Sequence, residues 1–452
     1  MLTYQDYEVV KEGELADFVQ NVIKEHKASV EYNTAIAADE YNAEKNVTIT
    51  EFARTIFTAG GIEIPDKTVS NMKMTSNFFR RLNTQRCVYS LGNGITFKEP
   101  SIMEKLGAKA DKVIKDAGYY GLIHGTSFLY WAYDHLHLFK LTEFAPLWDE
   151  NTGNLGAGVR FWQIASNKPI RATLYTPDGY LELKGENGNI SNLKIVDELK
   201  PYRMTVSVTP AIGEVVTAHN YSALPIVPLW GTEMKQSTLV GMRSKIDVYD
   251  IVNSGFANDV QDCAHIYWLI SGAGGVTEAE LSAFRQRLLY RHIASIDGDN
   301  VSVTPHTQEI PHAARETLLK RIKGQIYEDF GGLDVHTVAA GATNDHIDAA
   351  YQPLDENADD FEYQITDAVQ RLLELQGINS VDATPQFKRN RISNQMEQVE
   401  MIMLEAPYLD DETILNKMPN ISSEEVEAIL KKKDADELSR FNEMPEDVIV
   451  DE

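Results

Sequence analysis

Apolar residues recur along the chain in two rhythms, one suited to helices and one to strands. Val9–Ala28 and Ser76–Val88 each carry helical spacing and predict short amphipathic helices. Between YSL and ITF, the Gly92-Asn93-Gly94 triplet has the chemistry of a β-hairpin turn. A further helix is predicted over Ile102–Tyr120, with Gly118 and Gly121 marking its end. From Ser127 the rhythm changes to alternating aromatic and β-branched runs, broken by DENTGNLGAG and by Pro177-Asp178-Gly179. Residues 126–225 therefore predict a β-rich unit of hairpins, closed by LPIVPLW.

Residues 232–271 carry the clearest periodicity. Leu239, Ile246, Asn253, Val260 and Tyr267 fall at seven-residue steps, and Met242, Tyr249, Phe256, Cys263 and Ile270 fall in the companion register. Only Asn253 is polar, so the pattern is an a/d stripe sustained over more than four heptads. It predicts one helix of roughly 50 Å at ~1.5 Å per residue. Such a stripe suits a long core helix, or a helix packed on a copy of itself or on a second long helix.

Beyond it, glycines at 272–275 interrupt the chain, and Thr277 with Glu280 forms a capping box. Residues 272–310 predict a small α/β insert. A second long helix follows, with Leu319, Ile322, Ile326 and Phe330 on one face and Gly331-Gly332 at its end. The stretch after it is rich in small residues. Phe361, Ile365, Val369 and Leu372 then mark a helix ending near Gly377, and the C-terminal part is helical with a capping box at Ser422 and Glu425. The acidic segment from Asp434 to Glu452 predicts a mobile tail. The fold class expected is α+β.

Charge narrows the function. Lys plus Arg is 42 and Asp plus Glu is 68, a formal net charge of −26. A protein that grips DNA through phosphates needs the opposite balance, and a polybasic membrane anchor is excluded on the same ground. The length of 452 residues suggests about three folding units. Two cysteines, Cys87 and Cys263, exclude a disulfide scaffold and a multi-cysteine zinc site. The acidic N-terminus lacks the apolar run of a signal peptide, and the apolar stretch near Ile266–Val276 is too short to span a membrane.

Catalytic motifs are missing: there is no phosphate-binding GxxxxGK[ST], GxSxG, HExxH or CxxC. Gly153, Gly156 and Gly158 fit a hairpin turn and not a dinucleotide fingerprint. His135 and His137 would share a face of a strand, but no third ligand lies near in sequence, so they are assigned a plain surface or core role. Cys263 lies on the apolar stripe and is assigned to packing. The expectation is no enzyme, no cofactor and no metal.

In order along the chain, several segments resemble the portal (head-to-tail connector) proteins of tailed bacteriophages. YSLGNGITF resembles that family's Y-L-x-G-x-P-I-x-F turn, with Gly94 in place of the proline. IHGTSFLYWAYD resembles its G-x-x-Y/F-x-x-x-Y entry into a β-rich domain. The passage LPIVPLWGTEMKQSTLVGMRSKIDVYDIVNSGFANDVQD is similar to the family's I-P-x-x strand followed by a helix with a D-x-Y/D and S-x-x-x-N-D-x-x-D pattern, although LWGTEM replaces an asparagine- and acid-rich turn. IYEDFGGLDV resembles the end of the second long helix, and LDDETILNKMPNISSEEVEAILKK the C-terminal E-T-x-L-x-x-x-P-x-[IV] segment.

The resemblance implies a ring of twelve subunits at one capsid vertex of a virion, assembled in the host cytoplasm. It would be a channel through which double-stranded DNA passes without sequence recognition. Its partners would be the terminase large subunit, the major capsid and scaffold proteins, and tail connector or adaptor proteins. Within the subunit it implies a wing over 1–231 and 345–385, stem helices over 232–271 and 311–331, a clip over 272–310, a channel loop over 332–344, and a crown with the acidic tail over 386–452. Stem packing between subunits would use Leu239, Met242, Ile246, Tyr249, Phe256 and Val260. The clip would dock partners through Arg285, Arg287 and Arg291. The loop would carry His336, Val338, Ala339, Ala340, Gly341, Ala342, Thr343 and Asn344. The competing expectation is a capsid scaffold or tail-assembly protein that uses the long helices as a coiled coil; the β-rich unit speaks against it.

Overall fold

The structure, a computed structural model, describes residues 2–52, 55–57, 61–65, 70–186, 190–209, 213–262, 267–271, 277–280, 282–283, 302–306, 312–334, 344–378, 383–391, 399, 402–410, 413–415, 426 and 429–433. It is α+β. Helices α1 (Tyr4–Glu8), α2 (Leu15–Ala28), α3 (Val30–Asn42) and α4 (Val47–Glu51) open the chain, followed by the small hairpin β1 (Thr55–Phe57) and β2 (Glu63–Pro65). Then come α5 (Phe78–Leu91), β3 (Ile95–Thr96), α6 (Ser101–Lys105) and α7 (Ala110–His124).

The β-rich stretch falls where alternation placed it. Strands β4 (Thr126–Ala132), β5 (His135–Lys140), β6 (Phe144–Trp148), β7 (Leu155–Trp162), β8 (Ile170–Thr176), β9 (Gly179–Gly185), β10 (Leu193–Ile195), β11 (Arg203–Thr209), β12 (Gly213–His219) and β13 (Ile226–Trp230) follow one another. They form a five-stranded antiparallel sheet in the order β10-β9-β8-β7-β6, a three-stranded sheet β13-β4-β5, and the hairpin β11-β12. Helix α2 turns Phe18, Val19, Val22 and Ile23 onto the five-stranded sheet, against Val159, Ala172 and Leu174. Burial of these apolar faces is what holds helix and sheet together.

The chain continues through α8 (Arg243–Asp262), β14 (Tyr267–Ser271), β15 (Ser302–His306), α9 (His312–Phe330), α10 (Asn344–Leu375) and β16 (Gln386–Phe387). A core of α7, β4, β13 and α10 packs Ile114, Leu122, Leu129, Leu229, Phe361, Ile365, Val369 and Leu372 together. The periodic positions predicted for α10 are therefore its buried face, and Gly377 follows it with φ +75°.

Three sequence expectations need correction. First, the 232–271 helix is not continuous. Helix α8 holds 20 residues, about 30 Å at the α-helical rise, and Tyr267 and Ile270 lie in β14, paired with His306 and Val303. A run of Tyr-Trp-Leu-Ile matches strand as well as helix, and the heptad count could not tell them apart. Second, Gly92-Asn93-Gly94 does not turn a hairpin: it links α5 to β3, whose partner is the distant β16. Third, the 102–120 segment breaks into α6 and α7 at Gly107, whose φ of +87° ends the first helix. Gly118 and Gly121 lie inside α7; a Cβ on Gly118 would stand 2.9 Å from the Phe361 ring, so the glycine admits α10 at close range.

Candidate functional site: a helix pair and the ends of a connecting segment

Helices α8 and α9 run antiparallel. Lys245, at the start of α8, pairs with Asp329 at the end of α9, and Asp259 near the end of α8 pairs with Arg315 at the start of α9. Phe256 meets the His312 ring edge-on, with centroids 5.6 Å apart. The end of α8 and the start of α9 thus lie together at one end of the helix pair.

The apolar stripe of α8 is mostly satisfied within the chain. Leu239, Met242 and Ile246 are buried with Phe78, Phe79 and Leu82 of α5 and with Ile322, Ile326 and Phe330 of α9. Tyr249 packs edge-on against Phe78 at 4.9 Å. Assigning Leu239, Met242 and Ile246 to subunit packing is therefore corrected: α5 and α9 of the same chain already cover them. Val260, 51% exposed, and the half-buried Phe256 remain on the outer half of the helix.

A different face of α8, which the heptad pattern does not single out, is polar and buried. Asp250, Ser254 and Asn258 are buried polar residues spaced four apart, so they line one side of the helix. Each receives a main-chain N–H from the extended segment before α5. Met72 N donates to Asn258 Oδ1 at 2.6 Å, Met74 N to Ser254 Oγ at 2.9 Å, and Ser76 N to Asp250 Oδ1 at 3.0 Å. Asn258 Nδ2 and Ser254 Oγ donate back to the carbonyls of Met72 and Met74. Asn46 Nδ2 supplies the other Asp250 oxygen at 2.9 Å. Burial raises the Asp250 pKa, opposed by these donors from Asn46 and Ser76. The four-residue spacing of Asp, Ser and Asn was visible in the sequence, but a heptad count files such positions as solvent-facing.

The segment between α9 and α10 leaves from a fixed base. Gly331 takes φ +63°, and Gly332 N donates to the Tyr327 carbonyl at 2.9 Å, closing α9. Gln85 of α5 holds Leu333 through both its N–H and C=O, at 3.0 and 2.8 Å. The buried Arg86 donates to the Phe330 carbonyl at 2.9 Å, and Lys323 pairs with Asp334 at 2.6 Å. On the far side, Ile347, Tyr351 and Leu354 of α10 pack with Tyr89 and Leu333, and the Tyr89 and Tyr351 rings stack at 5.7 Å. Both ends of the 335–343 segment are thus anchored on α5. His336, Val338, Ala339, Ala340, Gly341, Ala342 and Thr343 lie outside the described residues, and Asn344 opens α10. Arg285, Arg287 and Arg291 lie outside them too. Of the insert around them, the described part holds the antiparallel pair β14-β15 and the Thr277–Glu280 capping box, with Thr277 N to Glu280 Oε2 at 2.8 Å.

The chain returns to this base once more. After β16, Arg389 and Arg391 reach α10, where Arg389 pairs with Asp355, Asp359 and Glu362, and Arg391 with Asp348 and Asp355. Tyr89 Oη donates to Asp355 Oδ1 at 2.6 Å and accepts from Arg391 Nε at 2.8 Å. Burial pushes the Asp355 pKa up, but the Tyr89 hydroxyl and both arginines outweigh it and hold it below the usual value. Burial and the Asp355 carboxylate push the Tyr89 hydroxyl up to about 12.

No group of three or more His, Cys, Asp or Glu side chains among the described residues is arranged to hold a metal ion, and none of the described helices is long and apolar enough to cross a membrane. Cys87 is buried, and burial pushes its thiol up to about 12, which keeps it protonated and inert.

A family model described as "Phage portal protein, SPP1 Gp6-like" matches residues 21–437. A portal protein of Clostridium phage phiCD119 is 26% identical over 233 residues, covering 50% of this chain and 51% of that protein. The portal protein of Bacillus phage SPP1 is 22% identical over 430 residues, covering 88% of this chain and 82% of that protein. Among solved structures, the neck of a native GTA particle computed with C12 symmetry matches 83% of this chain and 98% of its own at 10% identity, with a TM-score of 0.41. The neck of an empty GTA particle computed with C6 symmetry matches at 12% identity over 85% of this chain and 97% of its own, with a TM-score of 0.38.

Proposed function

Because the chain belongs to the SPP1 Gp6-like family of phage portal proteins, we propose that it closes into a ring of twelve subunits at one capsid vertex and forms the channel for DNA entry and exit. The family match over residues 21–437 carries this proposal, and the geometry supports it. Helices α8 and α9 act as stem, and the residues between them as the clip that meets the terminase large subunit and later the tail adaptors. The 335–343 segment, held at both ends on α5, approaches the DNA. A tract of Val, Ala and Gly there offers no charge to a phosphate and no bulk to a duplex. The net charge of −26 works in the same direction, since like charge keeps the passing polymer from adhering. The role is structural and not enzymatic: the energy for translocation comes from a separate motor. Residues 1–231 and 345–385 form the wing facing capsid and scaffold proteins, and 386–452 the crown with its acidic tail.

Negative-stain images of the purified protein test this. Rings with an axial hole are expected. Dimers or trimers of elongated particles would instead favour a scaffold built on coiled coils.

A further inference from the structure

His135 and His137 open β5, two residues apart, so their side chains leave the same face of the strand. Their Nε2 atoms lie 2.9 Å apart, and the rings meet edge to face with centroids 4.5 Å apart. Behind His135, Asp134 Oδ1 stands 2.5 Å from Nδ1. The carboxylate accepts from Nδ1, so Nε2 is the His135 nitrogen left to face an ion. Two imidazoles on one face of a strand, one of them backed by a carboxylate, are a donor pair that a transition-metal ion takes up.

The separation says which ions fit. Donors about 2.0–2.1 Å from an ion stand about 2.9 Å apart when they subtend a right angle, and about 3.3–3.4 Å apart at the tetrahedral angle. The observed 2.9 Å, which an N–H···N bond between the rings also gives, is nearer the right-angle spacing preferred by Cu2+ and Ni2+ than the tetrahedral spacing of Zn2+. Strand β5 is an edge of its sheet and both histidines are exposed, so an ion reaches them directly from solvent. Among the described residues no third His, Cys, Asp or Glu joins them, which leaves the remaining corners to water. Arg160 opposes a cation, but its guanidinium lies over the Phe139 and Trp162 rings at 4.4 and 4.8 Å.

We propose that His135 and His137 form a two-imidazole site for Cu2+ or Ni2+, with Asp134 positioning His135. The test is calorimetric titration of the full chain with Cu2+ and with Ni2+ at pH 7.5 and pH 5.5. One ion per chain is expected at pH 7.5, with Cu2+ tighter than Ni2+. Affinity should fall at pH 5.5, as protons compete for both imidazoles. His137→Asn should weaken binding at least about tenfold, and Asp134→Asn by about tenfold through loss of orientation. Equal affinity at both pH values would overturn the proposal without recourse to any variant. So would binding that survives His135→Asn with His137→Asn, or the lack of a one-to-one isotherm for the wild type.

Discussion

The amide of Met74 donates to Ser254 Oγ at 2.9 Å, tying an extended segment to the middle of a helix 180 residues further on. A helix offers no main-chain edge to a strand, so the side chains supply one. Residues four apart on a helix rise about 6 Å, and alternate residues of an extended chain advance about 6.6 Å. The two repeats stay matched for three rungs, at Met72, Met74 and Ser76, and then drift apart. Asn258→Ala removes two of these bonds, to Met72 N and Met72 O. Stability should drop by about 1–2 kcal/mol. Amide exchange at 70–76 should accelerate while the Ile246 end of α8 stays protected. Unaltered exchange at 70–76 would show that packing, not the ladder, holds the segment.

His26 gives the fold a pH limit. Its Nε2 donates to the Leu141 carbonyl at 2.8 Å, and burial lowers its pKa below 6.5, ahead of the opposing pull of that carbonyl. Between the lowered folded value and 6.5, the unfolded chain binds more protons than the folded one. Stability should therefore hold above pH 6.5 and fall as pH drops through it, at up to about 1.4 kcal/mol per pH unit. His137 acts in the same direction, so the measurement belongs in a His137→Asn background. Thermal melts of His26→Gln there should lose most of the slope between pH 6.5 and 5.5. A slope that persists assigns the acid sensitivity to other groups.

The elements most legible in the sequence were those whose pattern depends on one burial partner. The alternating strands from Thr126 to Trp230 and the 361/365/369/372 face of α10 needed only a core on one side. What the sequence hid depends on pairs far apart. Gly92-Asn93-Gly94 has turn chemistry, yet the partner of Ile95 is Phe387, which no local signal announces. The Leu239–Ile246 stripe showed that something covers it, but not that α5 and α9 of the same chain do. The ladder at Asp250, Ser254 and Asn258 shows in the sequence only as a four-residue spacing, because buried polar residues and solvated ones read alike in one dimension. The spacing of His135 and His137 is plain in the sequence, while the placing of Asp134 against His135 needs the turn before β5.

Arg389 and Arg391 should act as a salt-sensitive latch for the segment after β16. Their side chains are 25% and 39% exposed and face Asp348, Asp355, Asp359 and Glu362, so screening weakens but does not abolish the pairing. Arg389→Ala with Arg391→Ala should cost about 1–3 kcal/mol, not fully additive because both arginines share Asp355. Limited proteolysis should then cut near 388–391 in the variant at low salt, and in the wild type only near ~1 M salt. Equal resistance in both would assign the hold to the β3–β16 pairing alone.

The exposed half of α8 should carry subunit contacts. Val260 is 51% exposed, and no α5 residue covers it as it does Ile246. Val260→Asp should leave the melting temperature of the isolated chain nearly unchanged, because the position is solvated there. Mass photometry should nonetheless show a shift from rings to small species. Intact rings of the Val260→Asp variant would place that face toward solvent in the assembly.

Gly331 sets the direction in which residues 332–334 leave α9. Its φ of +63° is one that a side chain adopts at a cost, and a Cβ there would stand 2.0 Å from Asn357 Nδ2. Gly331→Ala must therefore displace Asn357, which bonds the Phe330 and Pro353 carbonyls. The loss should be about 1–3 kcal/mol. The helix pair should survive it, since Arg86 and Gln85 still hold Phe330 and Leu333. Ala340→Trp probes the other end of the same proposal without touching the base. If 335–343 faces the channel, rings of the Ala340→Trp variant should form normally and bind the terminase, but DNA packaging into proheads should stall. Packaging at the wild-type rate by such rings would move the channel lining to another segment, while a loss of rings would make the segment a subunit contact.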